Sequence, residues 1–467
     1  MSFDRRSFLA ASAAAAALPS RLIAANGPLL TPEQFGARGD GVTNDTAAFG
    51  RLSAEVSRRG GGTISLRAGR TYLVGSQARG GPKFGWTPDP IIELHNLTRP
   101  LTIAGNGARL RCQPGLRFGT FDLATGQPVE RPMPNRDKSE IAFPYRGMIW
   151  ILSSTAPIAI RDLELDGNAA RLRVGGPFGD KGWQVPATGL LLQFNSEAET
   201  IDNVLTHHHG LDGAMIVGIE QRSARSRVTR LVSRYNYRQG LSITGGRGYD
   251  FFDCEFSHTG RGGIKSPPGA GVDIEAEGHR LIRDLSFTRC KFLDNAGCGL
   301  VADSGNSEGA RFTDCTFVGT TSWSAWPKKP GFSFANCLFV GSVVHAFPDP
   351  DPARAAHFLH CRFTDDPRLS PTGQVYSGGG PIVNMAKSDN VLFDGCTFNL
   401  VGAAVLPWSG NAIYKDCVMA QRSPKPAITR GHFLGRTTIS GPVDLGSSTV
   451  EGTLIVNGRQ VPRGLNR

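Results

Sequence analysis

Long apolar runs are missing from this 467-residue chain. The alanine-rich stretch at residues 10–18 is too short to cross a bilayer, which excludes a retained membrane anchor there. Lysine is scarce, with ten lysines among the 51 basic residues. Cys-x-x-Cys pairs are absent, which argues against a zinc ribbon. No nucleic-acid reader motif or basic helix accompanies the net charge of +11. The arginine excess suits planar recognition of carboxylates, although a GC-rich genome also produces it.

What is present begins with a leader. Arg5-Arg6-Ser7-Phe8-Leu9 is a twin-arginine signature, and Ala24 and Ala25 offer a cleavage point. Residues 1–25 therefore read as a signal peptide, and residues 26–467 as one exported domain in the periplasm or outside the cell. A basic mature chain in that setting, with no membrane segment after cleavage, suits an anionic polysaccharide or oligosaccharide better than nucleic acid.

The 59 glycines and 30 prolines imply many turns, and 40% apolar residues argue against disorder. A repeat organises them. Phe251-Phe252-Asp253-Cys254-Glu255-Phe256 recurs as Phe287-Thr288-Arg289-Cys290-Lys291-Phe292, Phe312-Thr313-Asp314-Cys315-Thr316-Phe317 and Phe334-Ala335-Asn336-Cys337-Leu338-Phe339. Further copies centre on Cys361, Cys396 and Cys417. Upstream copies carry Leu163, Val204 and Leu231 in the cysteine's place. The recurring spacing of 21–27 residues, with insertions, describes one coil of a solenoid.

If coils stack at about 4.8 Å, equivalent side chains form columns. Seven of the nine cysteines then make a buried, reduced ladder, and an odd total cannot all pair. A second strand, opened by Gly189, Gly213, Gly240, Gly271 and Gly299, precedes each copy. Alternation puts Leu190, Ala214, Leu241, Val272 and Leu300 inside. The fold class is thus all-β, a right-handed parallel β-helix. Asp45 or Thr46 caps a helix whose Ala48, Phe49, Leu52 and Val56 share one face, within an N-terminal cap over about residues 33–60.

Phe35-Gly36-Ala37-Arg38-Gly39-Asp40-Gly41-Val42-Thr43-Asn44-Asp45-Thr46-Ala47-Ala48-Phe49, followed by Gly61-Gly62-Thr63-Ile64-Ser65-Leu66-Arg67-Ala68-Gly69, resembles the opening of the pectate-lyase superfamily. Gly271-Val272-Asp273-Ile274-Glu275 is similar to a motif of its bacterial members. The resemblance implies the β-helix. It is less specific for the reaction, since the superfamily spans lyases, glycosidases, epimerases, phage tailspikes and silent members. The ordered polygalacturonase motifs and the Asp-Pro-His epimerase motif are missing, so no catalytic residue carries over.

Stacking the second strand predicts one outward column of Gln193, Val217, Thr244, Glu275 and Asp303, and another of Leu191, Met215, Ser242, Asp273 and Val301. Asp273, Glu275 and Asp303 then share a face, where carboxylates repel unless they share a proton, bind a cation or meet a basic ligand. They are the candidate catalytic acids, and Lys265 is a candidate catalytic base beside them. Arg238, Tyr237, His209, His258, Arg261 and Asp212 are the candidate substrate contacts along adjoining turns. Adjacent side chains on an extended chain alternate in direction, so the run His207-His208-His209 reads as a polar or substrate-facing turn rather than a metal site. Trp183, Trp323 and Trp326 are candidates for stacking on sugar rings. Residues 114–145 read as an excursion able to wall a groove.

These acids suit cleavage of a uronate-containing polysaccharide, by glycosidic hydrolysis or by β-elimination. The flanking basic and tyrosine residues tip the balance towards a lyase. No cofactor is implied, and Ca2+ is the ion such acids would suit. A non-catalytic glycan-binding β-helix and a C5 epimerase are the rival readings.

Overall fold

Copy by copy, the repeat pairs with its successor in parallel register. Phe312 lies beside Phe287 on one side and Phe334 on the other, and Phe317 lies between Phe292 and Phe339. The computed structural model describes residues 29–80, 85–129, 140–176, 185–220, 222, 224–385 and 387–465. Residues 1–25, read above as a leader, Trp183 and part of the 114–145 excursion lie outside the described residues. Among the described residues, 38 strands join one network wound as a right-handed parallel β-helix. No helix there is long and apolar enough to cross a membrane.

Each coil's repeat bends at the residue before its centre. Asp253, Arg289, Asp314, Asn336 and Asp416 there adopt φ of 51–55°. That left-handed step lets the chain turn while Cys and the following aromatic both enter the core. The result is two aromatic columns. Phe287, Phe312, Phe334, Phe358 and Phe393 stack at 4.8–5.0 Å with their ring planes nearly parallel. Phe292, Phe317, Phe339, Phe363 and Phe398 form the second. All nine cysteines are free and buried. The ladder thiols also donate to the coil before: Cys315 Sγ reaches Phe287 O at 3.3 Å and Cys396 Sγ reaches Phe358 O at 3.2 Å.

The glycines that open the second strand have a steric reason. A Cβ at Gly213 would lie 2.0 Å from Ser233 Oγ, and one at Gly240 would lie 2.5 Å from Gly271 O. Leu190, Ala214, Leu241, Val272 and Leu300 are buried in the core, as alternation requires.

One α-helix, Thr46–Arg59, covers the N-terminal end with Ala48, Phe49, Leu52 and Val56 buried. Asp45 occupies the N-cap position, but its carboxylate does not cap. It accepts instead from Arg38 N (2.8 Å) and Gly39 N (3.0 Å), fixing the preceding loop. Asn44 Oδ1 takes the helix's Thr46 N–H at 3.0 Å. Beside the coils, part of the excursion forms a small side sheet with Gln77–Arg79, Trp86–Pro88, Arg117–Thr120, Ile141–Ala142 and Arg173–Gly175.

Candidate functional site

The second strands Asp212–Val217, Gln239–Phe252, Ala270–Ile274 and Leu300–Ala302 lie side by side. Their register aligns Met215, Ser242, Asp273 and Val301, the column expected from the sequence. The neighbouring column is altered, because a register shift after Ile216 pairs Val217 with Gly245 and displaces Thr244.

This outward face is not an open acidic surface. Asp273 is only 4% exposed, and Asp212, Arg238 and Gln239 are buried with it. Gln239 Nε2 donates to Asp273 Oδ2 at 2.6 Å, and Arg238 Nη1 lies 3.6 Å from Asp212 Oδ2. Among the described residues, both Asp212 oxygens, Arg238 Nε and Gln239 Oε1 lack hydrogen-bond partners. Buried polar atoms of that kind are rare and point to a ligand or water. Burial pushes the Asp212 carboxyl up to about 6 against the opposing charge of Arg238. Burial, with the Glu275 charge adding to it, pushes Asp273 up to about 7 against Arg238 and the Gln239 hydrogen bond.

Glu275 and Asp303 form a half-buried rim just past the strand ends. Ser304 joins them, its Oγ 2.6 Å from Glu275 Oε1 and 3.3 Å from Asp303 Oδ1. Lys329 Nζ donates to Gly305 O at 2.6 Å. Burial lowers its pKa while Asp303 and, more weakly, Glu275 raise it, so the ammonium sits within the field of the rim. Gln239, Ser304 and Lys329 escape a reading of sequence, because each becomes relevant only through the coil stacked beside it. For Ca2+, which takes about six to eight oxygens, the rim offers the Glu275 and Asp303 carboxylates and the Ser304 hydroxyl. Trp323 and Trp326 pack edge to face at 5.1 Å, against Ala270, Cys298 and Val301, rather than standing free.

Other candidates fall elsewhere. His209 is fully buried. Its Nε2 faces Leu165 O at 3.2 Å and its Nδ1 faces the Tyr145 hydroxyl at 2.8 Å, so it is a core residue and not a substrate contact. Tyr237 likewise packs in the core. The reason is a left-handed residue in each turn, His208, Tyr235 and His258, with φ of 54–56°. That step leaves these three rings half-buried at the surface and turns the following residues inward. Tyr235 stacks between His208 (5.2 Å) and His258 (4.7 Å). Lys265 Nζ is tied to Ala296 O at 3.0 Å. Arg261 braces neighbouring coils through Asp294 Oδ1, Thr320 Oγ1 and Thr321 Oγ1 at 2.8–3.0 Å. The structure therefore brings together Asp212, Arg238, Asp273, Glu275 and Asp303, and leaves His209, Tyr237, His258, Lys265 and Arg261 in other roles.

No family model matches the chain, and no curated protein matches its sequence. Solved structures do align along its length. The mannuronan C-5 epimerase AlgE4 A-module of Azotobacter vinelandii is 16% identical, covering 91% of this chain and 97% of its own, with a TM-score of 0.44. The exopolygalacturonase of Thermotoga maritima is 14% identical, covering 94% and 95%, with a TM-score of 0.40. The N-terminal fragment of bacteriophage phi29 gene product 12 is 14% identical, covering 94% and 73%, with a TM-score of 0.49. The strand pairing within the chain itself carries the fold assignment: a right-handed parallel β-helix.

Proposed function

We propose that the protein is a carbohydrate-active enzyme that cleaves an acidic, uronate-containing polysaccharide by glycosidic hydrolysis. The observation that carries this reading is the pair of environments on one strand face. Asp273 is buried and held protonatable near neutrality, while Glu275, two residues on, stands at a polar rim beside Asp303. Two carboxyl groups with environments that differ in this way are what acid-assisted glycoside cleavage needs.

In the proposed reaction, protonated Asp273 gives its proton to the glycosidic oxygen as the bond from that oxygen to the anomeric carbon breaks. Water adds to the anomeric carbon, and the Glu275–Asp303 pair takes the proton that water loses. Arg238, beside Asp212 and within the field of Asp273, pairs with a uronate carboxylate on the substrate. Hydrolysis is preferred to β-elimination in this reading because Lys265, the basic residue among the candidate catalytic ones, is tied to Ala296 O, and Tyr237 packs in the core.

Digestion of uronate polymers with product mass spectrometry tests the proposal. Saturated products with new reducing ends are expected. Unsaturated products would replace this mechanism with elimination, and solvent deuterium incorporated without chain shortening would replace it with epimerisation. A general acid works only while protonated, so activity is expected to fall as pH rises through about 7. A rate that climbs through that range would remove Asp273 from the acid's role.

Export by the twin-arginine route is part of the same proposal, supported by Arg5-Arg6 and the small residues at Ala24 and Ala25. Replacing both arginines with lysine is expected to hold the protein in the cytoplasm on cell fractionation. Unchanged export would contradict the route.

A further inference from the structure

The run His207-His208-His209 does not alternate as an extended strand would. His207 ends the strand Glu199–His207, and its ring projects outward beside Glu164 and Asp166 on the preceding coil. His208 has φ of 54°, which swings its ring back to the same side as His207. The two Nδ1 atoms lie 2.6 Å apart, and His207 Nδ1 lies 3.7 Å from Asp166 Oδ1.

The tautomer of His207 is set by its other nitrogen. Its Nε2 faces Glu164 Oε1 at 3.1 Å. Glu164 also receives Arg109 at 2.7 Å. With the Glu164 carboxylate accepting there, Nε2 carries the hydrogen and His207 Nδ1 is the nitrogen that faces the cluster. A carboxylate that orients a histidine through its far nitrogen is the common outer-shell arrangement of histidine metal ligands.

We infer that Asp166, His207 and His208 form a divalent transition-metal site, with Glu164 as the positioning residue behind His207. One ligand atom from each of the three lies within 4.8 Å of the others. Ligands about 2.0–2.1 Å from a tetrahedral Zn2+ stand roughly 3.3 Å apart. Small side-chain rotations therefore close the site without moving the backbone. Two imidazoles and a carboxylate suit Zn2+ or its neighbours better than Ca2+ or Mg2+. His209 takes no part, because both of its nitrogens face partners in the core. Arg111 Nε lies 3.4 Å from Asp166 Oδ2, while Oδ1 is turned to His207 and also accepts from Asn168 N at 2.9 Å. The site stands apart from the proposed hydrolytic acids, so it does not depend on the proposed reaction. It would pin the coil carrying Asp166 to the coil carrying His207 and His208.

The test uses the full chain without an affinity tag, stripped of metal by chelator and titrated with Zn2+ by calorimetry. One ion per chain is expected. His208→Gly, which keeps the left-handed turn, and Asp166→Asn are expected to abolish binding while the metal-free chains keep the wild-type circular dichroism spectrum. Glu164→Gln is expected to weaken binding about 10–100-fold. Co2+ gives a second reading, since coordination by these residues produces a visible absorption that His208→Gly loses. Substoichiometric Zn2+ binding by the wild-type chain, or undiminished binding by both His208→Gly and Asp166→Asn, would overturn the site.

Discussion

Asp273→Asn is expected to cut turnover on a uronate polymer by about 10²–10⁴-fold, the usual worth of a positioned general acid, and at the same time to make the protein more stable at pH 8. The two effects share one cause. Asp273 is buried, and its carboxyl is pushed up to about 7 by that burial, with the Glu275 charge adding to it. In the unfolded chain the same carboxyl titrates near 3.8. Between those values the folded state holds a proton that the unfolded state has released. Its stability contribution is therefore fullest below about 4 and declines as pH rises to about 7, the reverse of an ion-paired aspartate.

Asparagine keeps an oxygen to accept from Gln239 Nε2 and carries no charge to bury. Thermal melts from pH 4 to pH 8 read the effect directly: the wild-type midpoint should lose ground relative to the variant as pH rises. Loss of activity with gain of stability separates chemistry from misfolding. A variant that is inactive and less stable at pH 8 would mean that Asp273 is a structural residue. A variant that retains full activity would sink the proposed mechanism.

The sequence carried the solenoid well because a coil's period is written in residue types. Large aromatics and cysteine recur at one register position, and a Cβ at Gly213 or Gly240 would collide with a neighbouring coil. Column membership of Asp273 followed from alternation alone. Alternation failed where the backbone leaves the extended region. His208, Tyr235 and His258 each take a left-handed step, which sent His209 and Tyr237 into the core and set His207 and His208 on one side. Tyrosine gives little local warning of that conformation, whereas histidine, like Asp314 or Asn336 in the other bend, adopts it more readily than most residues. Burial of the outward face was equally hidden. It depends on neighbouring coils and on Trp323 and Trp326 packing against Val301. Gln239 likewise lies 34 residues from Asp273, and Ser304, although next to Asp303, lies 29 residues from Glu275.

The same column logic gives the largest stability effect. Phe312→Ala is expected to cost about 3–5 kcal/mol, the range for a buried aromatic truncated to alanine. Phe312 is buried between Phe287 at 4.9 Å and Phe334 at 4.8 Å, and it meets Phe317 edge-on at 5.7 Å. Its removal opens a gap that the rings above and below cannot fill, because each is pinned by its own coil's register. In a solenoid, stability is a sum over coils and the contacts between neighbours, so one central truncation weakens two interfaces together. Phe433, near the C-terminal end, stacks on the ring of Tyr414 at 5.3 Å and pairs with Val450 on its other side. Phe433→Ala should therefore cost less than Phe312→Ala in urea unfolding followed by circular dichroism. Equal losses at the two positions would mean that the aromatic columns do not transmit stability from coil to coil. A loss below about 1 kcal/mol at Phe312 would mean that the ring is not packed as the stacking distances require.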